Sequence, residues 1–429
     1  MPPHTIGAAS ERTQKPTTLS WSIVHQNGDM PLHGCCQSLA NYKDETLILF
    51  GGGALHFIFN DVHCFDIKTS TWTRKETINS EVVAPRISHS AVVHGDNMYV
   101  YGGQDLFMPT RFADVLVLNL ITFEWSVLEE CVPSEPDGPG ERRLHTAHMY
   151  GNRMYVLMGE PCNTTHNFWY LDLDTHRWHT VQSHGYFGKP ILPLLGHSAQ
   201  MEGDYLYVFG GYHAYAAAHG GSLFYSNSLF CYHFPTNTWC EVQTGGGPRP
   251  SPRYSCAMAV LGGRVYIYGG DTDGEVYYDD FWYLDVGPFI ASFVAQSSST
   301  RLDTSVVTAH VPSPTWIDLT LSCGKARPSA RSGHASAVAQ GYLFIVGGEL
   351  PGDKDVVYYS NRTYRYPLGL FTRLPLTELA LRWLGCCSPG NLLLRHGQIS
   401  RPVREQLRRN ILMQESEKKE DLMPCTRVT

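Results

Sequence analysis

Four arginines occupy matching positions in a turn that recurs along the chain. Successive copies read PLHGCC, PRISHS, ERRLHT, LLGHS, PRYSC and ARSGH, and four of them have an arginine three residues before a His or Cys: Arg86, Arg142, Arg253 and Arg331. The planar guanidinium group binds a carboxylate through two parallel hydrogen bonds. If the turns meet in space, we expect these side chains to form a binding site for a carboxylate-bearing ligand. The alternative is that each arginine pairs with a carboxylate or carbonyl group of a neighbouring repeat.

Histidines also recur once per copy, at His89, His145, His197 and His334. Metal ligation needs two or more such side chains meeting at one point, and this recurrence leaves a metal-dependent enzyme as one hypothesis. A regular position in every copy is better explained by a structural role. The chain contains no G-x-S-x-G, P-loop or HExxH motif. We therefore expect no catalytic residue, no bound metal and no cofactor, and metal analysis of the purified protein tests this.

The turns belong to a longer repeat of about 50 residues, a period typical of stacked β-units. The stretch from Pro85 to Trp125 contains four short apolar runs with the alternation of β-strands. Glycine doublets follow the second run of each copy, at Gly51–Gly52, Gly102–Gly103, Gly210–Gly211, Gly269–Gly270 and Gly347–Gly348. A weaker copy reads LMGE, in which we assign Glu160 to the place of the second glycine. The copies close at Trp72, Trp125, Trp178, Trp239 and Trp316.

This pattern resembles the kelch repeat, which forms one blade of a β-propeller. The resemblance implies an all-β fold, a six-bladed kelch β-propeller over residues 19–370, followed by a short C-terminal α-helical box. Trp21 has no repeat before it, and the last repeat lacks a closing tryptophan. We therefore predict that an N-terminal strand carrying Trp21 closes the last blade, which removes two sheet edges. In kelch propellers the recurring turn lies near the central channel, so the resemblance also implies that the four arginines converge there.

Composition limits the remaining classes of function. The chain has 429 residues and a formal net charge of −7, which indicates no nucleic-acid-binding or membrane-binding surface. It has neither an apolar N-terminal signal segment nor an apolar run long enough to span a membrane, and its twelve cysteines form no CxxC motif. We expect a cytoplasmic and nuclear protein with free thiols. Residues 1–18 and 414–429 are expected to be disordered, and disorder is also favoured over function for a Ser/Thr-rich insertion at 287–314.

Residues 374–413 lose the strand pattern and acquire helical spacing. Leu376, Leu379, Ala380, Trp383 and Leu384 share one apolar face, and Ile399, Val403, Leu407 and Ile411 repeat every four residues. The simplest interpretation is a pair of helices that pack against the propeller. The alternative is a docking module for other proteins.

The helical segment resembles two known adaptor motifs. Pro375, Leu376, Ala380 and Leu384 fit the box that binds elongin B–elongin C, and the downstream ISRPVREQL resembles a cullin box, in which Pro402, Val403 and Leu407 would contact cullin 2. A propeller followed by such a box is the layout of kelch substrate receptors of cullin-2 ubiquitin ligases. The resemblance implies a non-catalytic subunit that binds C-terminal degrons of target proteins for ubiquitination and proteasomal degradation. The alternative function is a kelch interaction scaffold in signalling or the cytoskeleton.

Overall fold

The computed structural model describes residues 19–108, 110–128, 138–161, 167–183, 193–213, 223–272, 274–290, 313–352 and 357–368. The regular secondary structure of these segments is almost entirely β-strand, with one 3-10 turn at Ser80–Val82 and one helical turn at 287–290. Through the third blade, the strands in chain order are β1 (Ser22–Ile23), β2 (Asn27–Gly28), β3 (Ser38–Tyr42), β4 (Thr46–Phe50), β5 (Gly53–Ala54), β6 (Phe57–Ile58), β7 (Val62–Asp66), β8 (Thr71–Lys75), β9 (Ser90–His94), β10 (Asn97–Tyr101), β11 (Val115–Asn119), β12 (Trp125–Val127), β13 (Thr146–Tyr150), β14 (Arg153–Leu157), β15 (Phe168–Asp172) and β16 (Arg177–Thr180).

The remaining strands build the last three blades. They are β17 (Leu194–Leu195), β18 (Ser198–Glu202), β19 (Tyr205–Phe209), β20 (Tyr212–His213), β21 (Phe224–Tyr225), β22 (Leu229–His233), β23 (Thr238–Glu241), β24 (Ala257–Val260), β25 (Arg264–Tyr268), β26 (Asp271–Thr272), β27 (Val276–Tyr277), β28 (Phe281–Asp285), β29 (Ile317–Asp318), β30 (Ala335–Ala339), β31 (Tyr342–Val346), β32 (Glu349–Leu350), β33 (Tyr358–Tyr359) and β34 (Thr363–Pro367).

The described strands assemble into six main sheets, which are the blades of a β-propeller. From the inner to the outer edge, the sheets are β3-β4-β7-β8-β2, β9-β10-β11-β12, β13-β14-β15-β16, β18-β19-β22-β23, β24-β25-β28-β29 and β30-β31-β34-β1. Neighbouring strands in these sheets are antiparallel, except that β2 pairs parallel with β8. The inner strands β3, β9, β13, β18, β24 and β30 are neighbours in a closed circle. Short hairpins formed by β5–β6, β20–β21, β26–β27 and β32–β33 extend several blades beyond their glycine doublets.

The chain closes its ring with the N-terminal strand. Ser22 and Ile23 of β1 pair antiparallel with Arg365 and Tyr364 of β34, which makes β1 the outer strand of blade six. Trp21, directly before β1, is 2% exposed. Early and late parts of the chain therefore share one blade.

Six apolar cores lie between neighbouring blades, and one tryptophan from the outer strand region fills each of them. Going round the ring from the core between blades one and two, the tryptophans are Trp125, Trp178, Trp239, Trp316, Trp21 and Trp72. All six are less than 9% exposed. A blade has two apolar faces and cannot bury both alone, so the recurring tryptophan joins each blade to the one before it.

The glycine doublets follow the second strand of each blade and reverse the chain with positive φ angles. Gly103 has φ 95°, and a Cβ atom there would lie 2.8 Å from the carbonyl oxygen of Ile87. A side chain at this position would therefore collide with backbone. In blade three Gly159 has the matching φ of 90° and Met158 takes the place of the first glycine, with φ 56°. The sequence-based assignment of Glu160 to the second glycine is therefore wrong by one residue.

Candidate functional site

A closed ring of hydrogen bonds surrounds one end of the central channel. It is formed by one residue from each blade, and we call this ring the collar: Cys36, Ser88, Leu144, Gly196, Ser255 and Gly333. Each of the six has a left-handed backbone with φ between 50° and 60°. The N–H of each donates to the carbonyl oxygen of the collar residue in the preceding blade, at N···O distances of 2.7 to 3.3 Å. The collar lies two residues after the recurring arginine position, so it fixes the geometry of the turn.

The four recurring arginines do not face the channel. Their exposed fractions are 0% for Arg86 and Arg253 and 1% for Arg142 and Arg331. Each guanidinium donates through Nη1 to the carbonyl oxygen of the first doublet residue in its own blade, at 2.6 to 3.0 Å: Gly102, Met158, Gly269 and Gly347. The channel cavity of about 240 Å³ is lined by all six collar residues and by none of these arginines.

Their remaining contacts also lie inside the blades. Arg86 forms a two-pronged ion pair with Asp114, at 2.7 and 2.8 Å, and Arg253 pairs in the same way with Asp280. Arg331 lies 4.9 Å from the centre of the Tyr364 ring instead. Since these groups are buried and occupied, the prediction that Arg86, Arg142, Arg253 and Arg331 hold a ligand carboxylate is corrected: they stabilise the blades. The alternative interpretation is right that they pair with carboxylate and carbonyl groups, but these partners lie in the arginine's own blade and not in a neighbouring one.

The collar also identifies the residue at the arginine position in the two turns that lack an arginine. Cys36 is the collar residue of blade one, so Gly34 occupies that position there. Gly196 is the collar residue of blade four, where Leu194 occupies the position.

The residues next to the collar come directly before each collar residue and directly after the glycine doublet, and none of them lines the channel cavity itself. They meet as antiparallel pairs, one in each blade, and we call them the mouth pairs: Cys35–Gly53, Ile87–Gln104, Arg143–Glu160, Leu195–Tyr212, Tyr254–Asp271 and Ser332–Glu349. Their side chains differ in every blade, whereas the arginines beneath them are repeated. Differences in size and charge at one shared position are what a binding surface needs.

The mouth has a cationic side at blades two and three. Arg143 donates from Nε to Glu160 at 2.6 Å and from Nη1 to Gln104 at 2.6 Å, and Arg111 donates to the other oxygen of Glu160 at 2.8 Å. The side chains of Arg143 and Arg111 are 27% and 34% exposed. Two guanidinium groups thus share one carboxylate, which leaves an excess positive charge at a partly exposed site.

The opposite side of the mouth, at blades five and six, is acidic and rich in tyrosine. Asp271 is 2% exposed, and burial raises its pKa to about 6. Ser332 donates to one oxygen of Asp271, and the Tyr277 hydroxyl donates to Glu349 in the next blade. These hydrogen bonds link blade five to blade six at the edge of the mouth.

Three tyrosine rings continue this side of the mouth into blade four. Tyr212, Tyr225 and Tyr254 pack against one another with ring centres 5.5 to 5.9 Å apart. They form an aromatic surface beside the collar residue Gly196, where an added Cβ atom would lie 2.9 Å from the Tyr254 ring. The site thus combines positive charge, negative charge and an aromatic surface.

Exposed apolar side chains project from the segments that follow the glycine doublets. Phe57, Phe107, Phe224 and Tyr358 are 66%, 58%, 64% and 54% exposed, and they come from blades one, two, four and six. Exposed aromatic residues around a polar centre are typical of a surface that binds other proteins.

The recurring histidines line the channel behind the collar and connect neighbouring blades. The Nε2 atoms of His89, His145 and His197 lie 2.8 to 2.9 Å from the hydroxyl oxygens of Ser38, Ser90 and Thr146 in the preceding blades. Burial lowers the pKa of His89 and of His334 to about 3 and that of His197 to about 4, so these rings are neutral near pH 7. Within the described segments no three His, Cys, Asp or Glu side chains are grouped as a metal site.

The predicted adaptor residues lie outside the described residues. They are Leu376, Ala380 and Leu384 for elongin and Pro402, Val403 and Leu407 for cullin. The same holds for residues 291–312 of the predicted insertion. Among the helices of the described part, none is long and apolar enough to cross a membrane.

Arg143 was not among the predicted site residues, although it adjoins Arg142. The signal lay in the comparison of the internal copies: arginine recurs at one position, while the next residue is Ile87, Arg143, Tyr254 and Ser332 in the same four blades. A residue type that is the same in most copies of a repeat is explained by the fold, whereas a position that differs between copies can be adapted to a ligand.

Comparisons with known proteins agree with this fold. A model of the KLHDC2/KLHL20/DRC7 Kelch-repeats domain matches residues 13–211 and 196–372 of the chain.

Individual relatives are similar at lower identity. The Leucine-zipper-like transcriptional regulator 1 homolog of Drosophila melanogaster is 27% identical over 347 residues, which cover 79% of this chain and 31% of that protein. Kelch domain-containing protein 3 of Bos taurus is 28% identical over 261 residues, 56% of this chain and 63% of that protein. N-(sulfonatooxy)prop-2-enimidothioate sulfolyase of Thlaspi arvense is 28% identical over 274 residues, 59% of this chain and 75% of that enzyme. The chain spans less than two thirds of the length of the Drosophila melanogaster and Bos taurus relatives.

Proposed function

The chain belongs to the KLHDC2/KLHL20/DRC7 kelch-repeat family, and from that premise we propose that it is a non-catalytic receptor that binds the C-terminal ends of partner proteins at the mouth of its propeller. Proteins of this family generally serve as binding domains, and the propeller provides a protein-binding scaffold. One relative is named as a sulfolyase, and that activity is said of the relative alone.

The observation that carries the proposal is the cationic side of the mouth. Arg143 and Arg111 are partly exposed and share the single carboxylate of Glu160. A second carboxylate, from the end of a polypeptide, would complete the charge balance and use the guanidinium donors that face solvent. Capture of a terminal carboxylate is an established mode of peptide recognition.

The rest of the mouth suits the residues that precede such a terminus. The rings of Tyr212, Tyr225 and Tyr254 offer an aromatic surface for apolar or backbone contact, and Phe57 and Phe224 add exposed aromatic side chains from blades one and four. Aromatic side chains of this kind dominate the binding energy of protein interfaces.

We expect Arg143→Ala to weaken binding of a peptide that ends in a free carboxylate by about 10-fold to 100-fold, because one charge-assisted hydrogen bond contributes about 1.5–3 kcal/mol. The measurement is a titration of a peptide selected from a library of random C-termini, in its free-acid and amidated forms. Amidation should reduce affinity for the wild type and have little further effect on the variant.

Arg153→Ala is the matched control for this titration. Arg153 lies at the opposite end of the same blade, is 48% exposed and pairs with Asp172. This variant should bind the free-acid peptide like the wild type. Equal affinity of the wild type for acid and amide forms would contradict capture of a carboxylate at the mouth.

We further propose that the receptor delivers its ligands to a cullin-2–RING ubiquitin ligase in the cytoplasm and nucleus. The resemblance of residues 374–413 to elongin and cullin boxes supports this, with NDVHCFDI and GGDTDGEVYYDDFWYLDV resembling kelch-domain-containing protein 10. Ligand at the mouth would then be brought near a charged conjugating enzyme, and catalysis would come from proximity.

Capture by elongin B–elongin C tests this assembly. The double variant Leu376→Ser and Ala380→Glu should lose at least 10-fold of the wild-type signal in a pulldown with the purified adaptor pair, because a charge and a polar group would enter an apolar helix face. Arg143→Ala is the control and should be captured normally. Equal capture of wild type and double variant would favour the alternative of a scaffold without ligase function.

A further inference from the structure

Two adjacent cysteines lie at the mouth of the channel. Cys35 belongs to a mouth pair and Cys36 to the collar, and both side chains are partly exposed. The other cysteines of the described part are buried: Cys64, Cys231, Cys240, Cys256 and Cys323. The pair is therefore distinguished from them by access to solvent, which thiol chemistry requires.

The two side chains meet over one point of the neighbouring blade. A methyl group added to Gly333 would lie 3.3 Å from the Cβ atom of Cys35 and 3.3 Å from the Sγ atom of Cys36. Cys36 has the left-handed backbone of the collar, with φ 57°, and the Sγ atom of Cys35 also lies 4.0 Å from a carboxylate oxygen of Glu349. The collar holds this arrangement, since the N–H of Cys36 donates to Gly333 at 2.7 Å and its carbonyl oxygen accepts from Ser88 at 3.1 Å.

The environment also activates one of the thiols. A hydrogen bond between the two thiols lowers the pKa of Cys36, with a further contribution from Ser88, and raises that of Cys35. Cys36 is therefore the first of the two to form the nucleophilic thiolate, and Cys35 holds its proton.

Geometry decides what can bridge the pair. The Cα atoms of adjacent residues are about 3.8 Å apart across a trans peptide, whereas ordinary disulfides join Cα atoms about 4.4–6.8 Å apart. A direct disulfide here is therefore strained, while a bridge that inserts one atom between the sulfurs is longer and relieves the strain. We propose that Cys35–Cys36 is a binding site for trivalent arsenicals of the type R–As=O, which place a single arsenic atom between two thiols.

The reaction balances without an oxidant. Two S–As bonds form, two S–H bonds and the As=O bond break, and the oxygen leaves as water with both thiol protons. Arsenic remains trivalent and needs only two protein ligands. Because Cys36 is part of the collar, the new bridge must also disturb the collar hydrogen bonds of Cys36 and Ser88.

The test uses phenylarsine oxide on the full chain in a Cys386→Ser, Cys387→Ser background, since those residues form a second adjacent pair in the sequence. We expect one phenylarsenic group per chain by mass spectrometry, located on the peptide containing residues 35 and 36. Excess 2-mercaptoethanol should leave it in place, and a small dithiol should remove it. Cys35→Ser and Cys36→Ser should each reduce the retained adduct at least 10-fold.

Cys231 and Cys240 provide the internal control, because they face each other across β22 and β23 but are each 1% exposed. They should react only after unfolding. Hydrogen exchange at the Cys36 and Ser88 amides should accelerate in the adduct, with unchanged exchange in the outer strands. Three results would each overturn the proposal. The first is retention of the adduct in either single variant, and the second is labelling of residues 231 and 240 in the folded chain. The third is a disulfide at residues 35–36 that forms with peroxide as completely as the arsenical bridge.

Discussion

Trp21→Ala is expected to lower the free energy of unfolding by about 3–5 kcal/mol, the range for truncation of a buried tryptophan. The indole ring is 2% exposed and packs against the rings of Tyr268, Phe281 and Tyr366, with centres 5.2 to 5.3 Å away. These partners come from blades five and six, so the substitution opens the core where the first and last parts of the chain meet. Urea unfolding followed by intrinsic fluorescence and by circular dichroism measures the change.

Ile23→Ala, in the adjoining strand β1, is the control for loss of the buried indole ring. Ile23 is 45% exposed, and its backbone pairing with Tyr364 is retained in the variant. This variant should lose less than about 1 kcal/mol, as most surface substitutions do. A loss as large as that of Trp21→Ala would contradict the assignment of ring closure to the buried indole ring.

Asp280→Ala should destabilise the protein by about 3–5 kcal/mol, because it leaves the fully buried Arg253 without its counter-charge. Both guanidinium Nη atoms of Arg253 donate to this carboxylate, and the guanidinium also lies 4.0 Å from the centre of the Tyr278 ring. Arg253 is 0% exposed, so loss of the carboxylate leaves a buried charge with only the carbonyl oxygens of Ser251 and Gly269 as acceptors for its donors. The same urea unfolding experiment measures the change.

The adjacent residue gives a matched control for this carboxylate. Asp279 pairs with Arg327, and these side chains are 44% and 26% exposed. Asp279→Ala should therefore change stability by no more than about 1 kcal/mol, the usual range for a solvated ion pair. Similar losses for the two neighbours would contradict the structural role assigned to the recurring arginines.

The features that the sequence predicted well are those that depend on repetition. Glycine doublets and tryptophans at a fixed order locate the second and fourth strands, because backbone reversal and core filling demand those residue types at those places. The unmatched Trp21 pointed to a closing strand, and β1 pairs with β34 in that position. These inferences needed only side-chain volume and backbone freedom.

The site was harder to predict from the sequence, because the direction of its side chains depends on a residue with a left-handed backbone for which the sequence gives no signal. Ser88, Leu144 and Ser255 adopt positive φ although none is glycine, and such residues are uncommon. This turn sends Arg142 into the blade and leaves Arg143 at the mouth. The recurring position of the arginines was therefore predictable, but whether their side chains point into the blade or toward the mouth was not. Met158 also has a left-handed backbone without being a glycine, and for that reason Glu160 was assigned to the place of the second glycine.

The collar has an electrostatic consequence for any ligand that approaches it. Each of its hydrogen bonds aligns a peptide dipole of about 3.5 D along the circumference. All six hydrogen bonds run in the same direction round the ring, because each N–H donates to the collar residue of the preceding blade, as Cys36 does to Gly333 and Gly333 does to Ser255. Vectors that run head to tail around a closed circle cancel in its plane. The backbone at the mouth is thus unlike a helix end, which attracts one sign of charge. Substitution of the mouth pairs can therefore reverse the polarity of the site while the hydrogen-bonded ring beneath it stays the same.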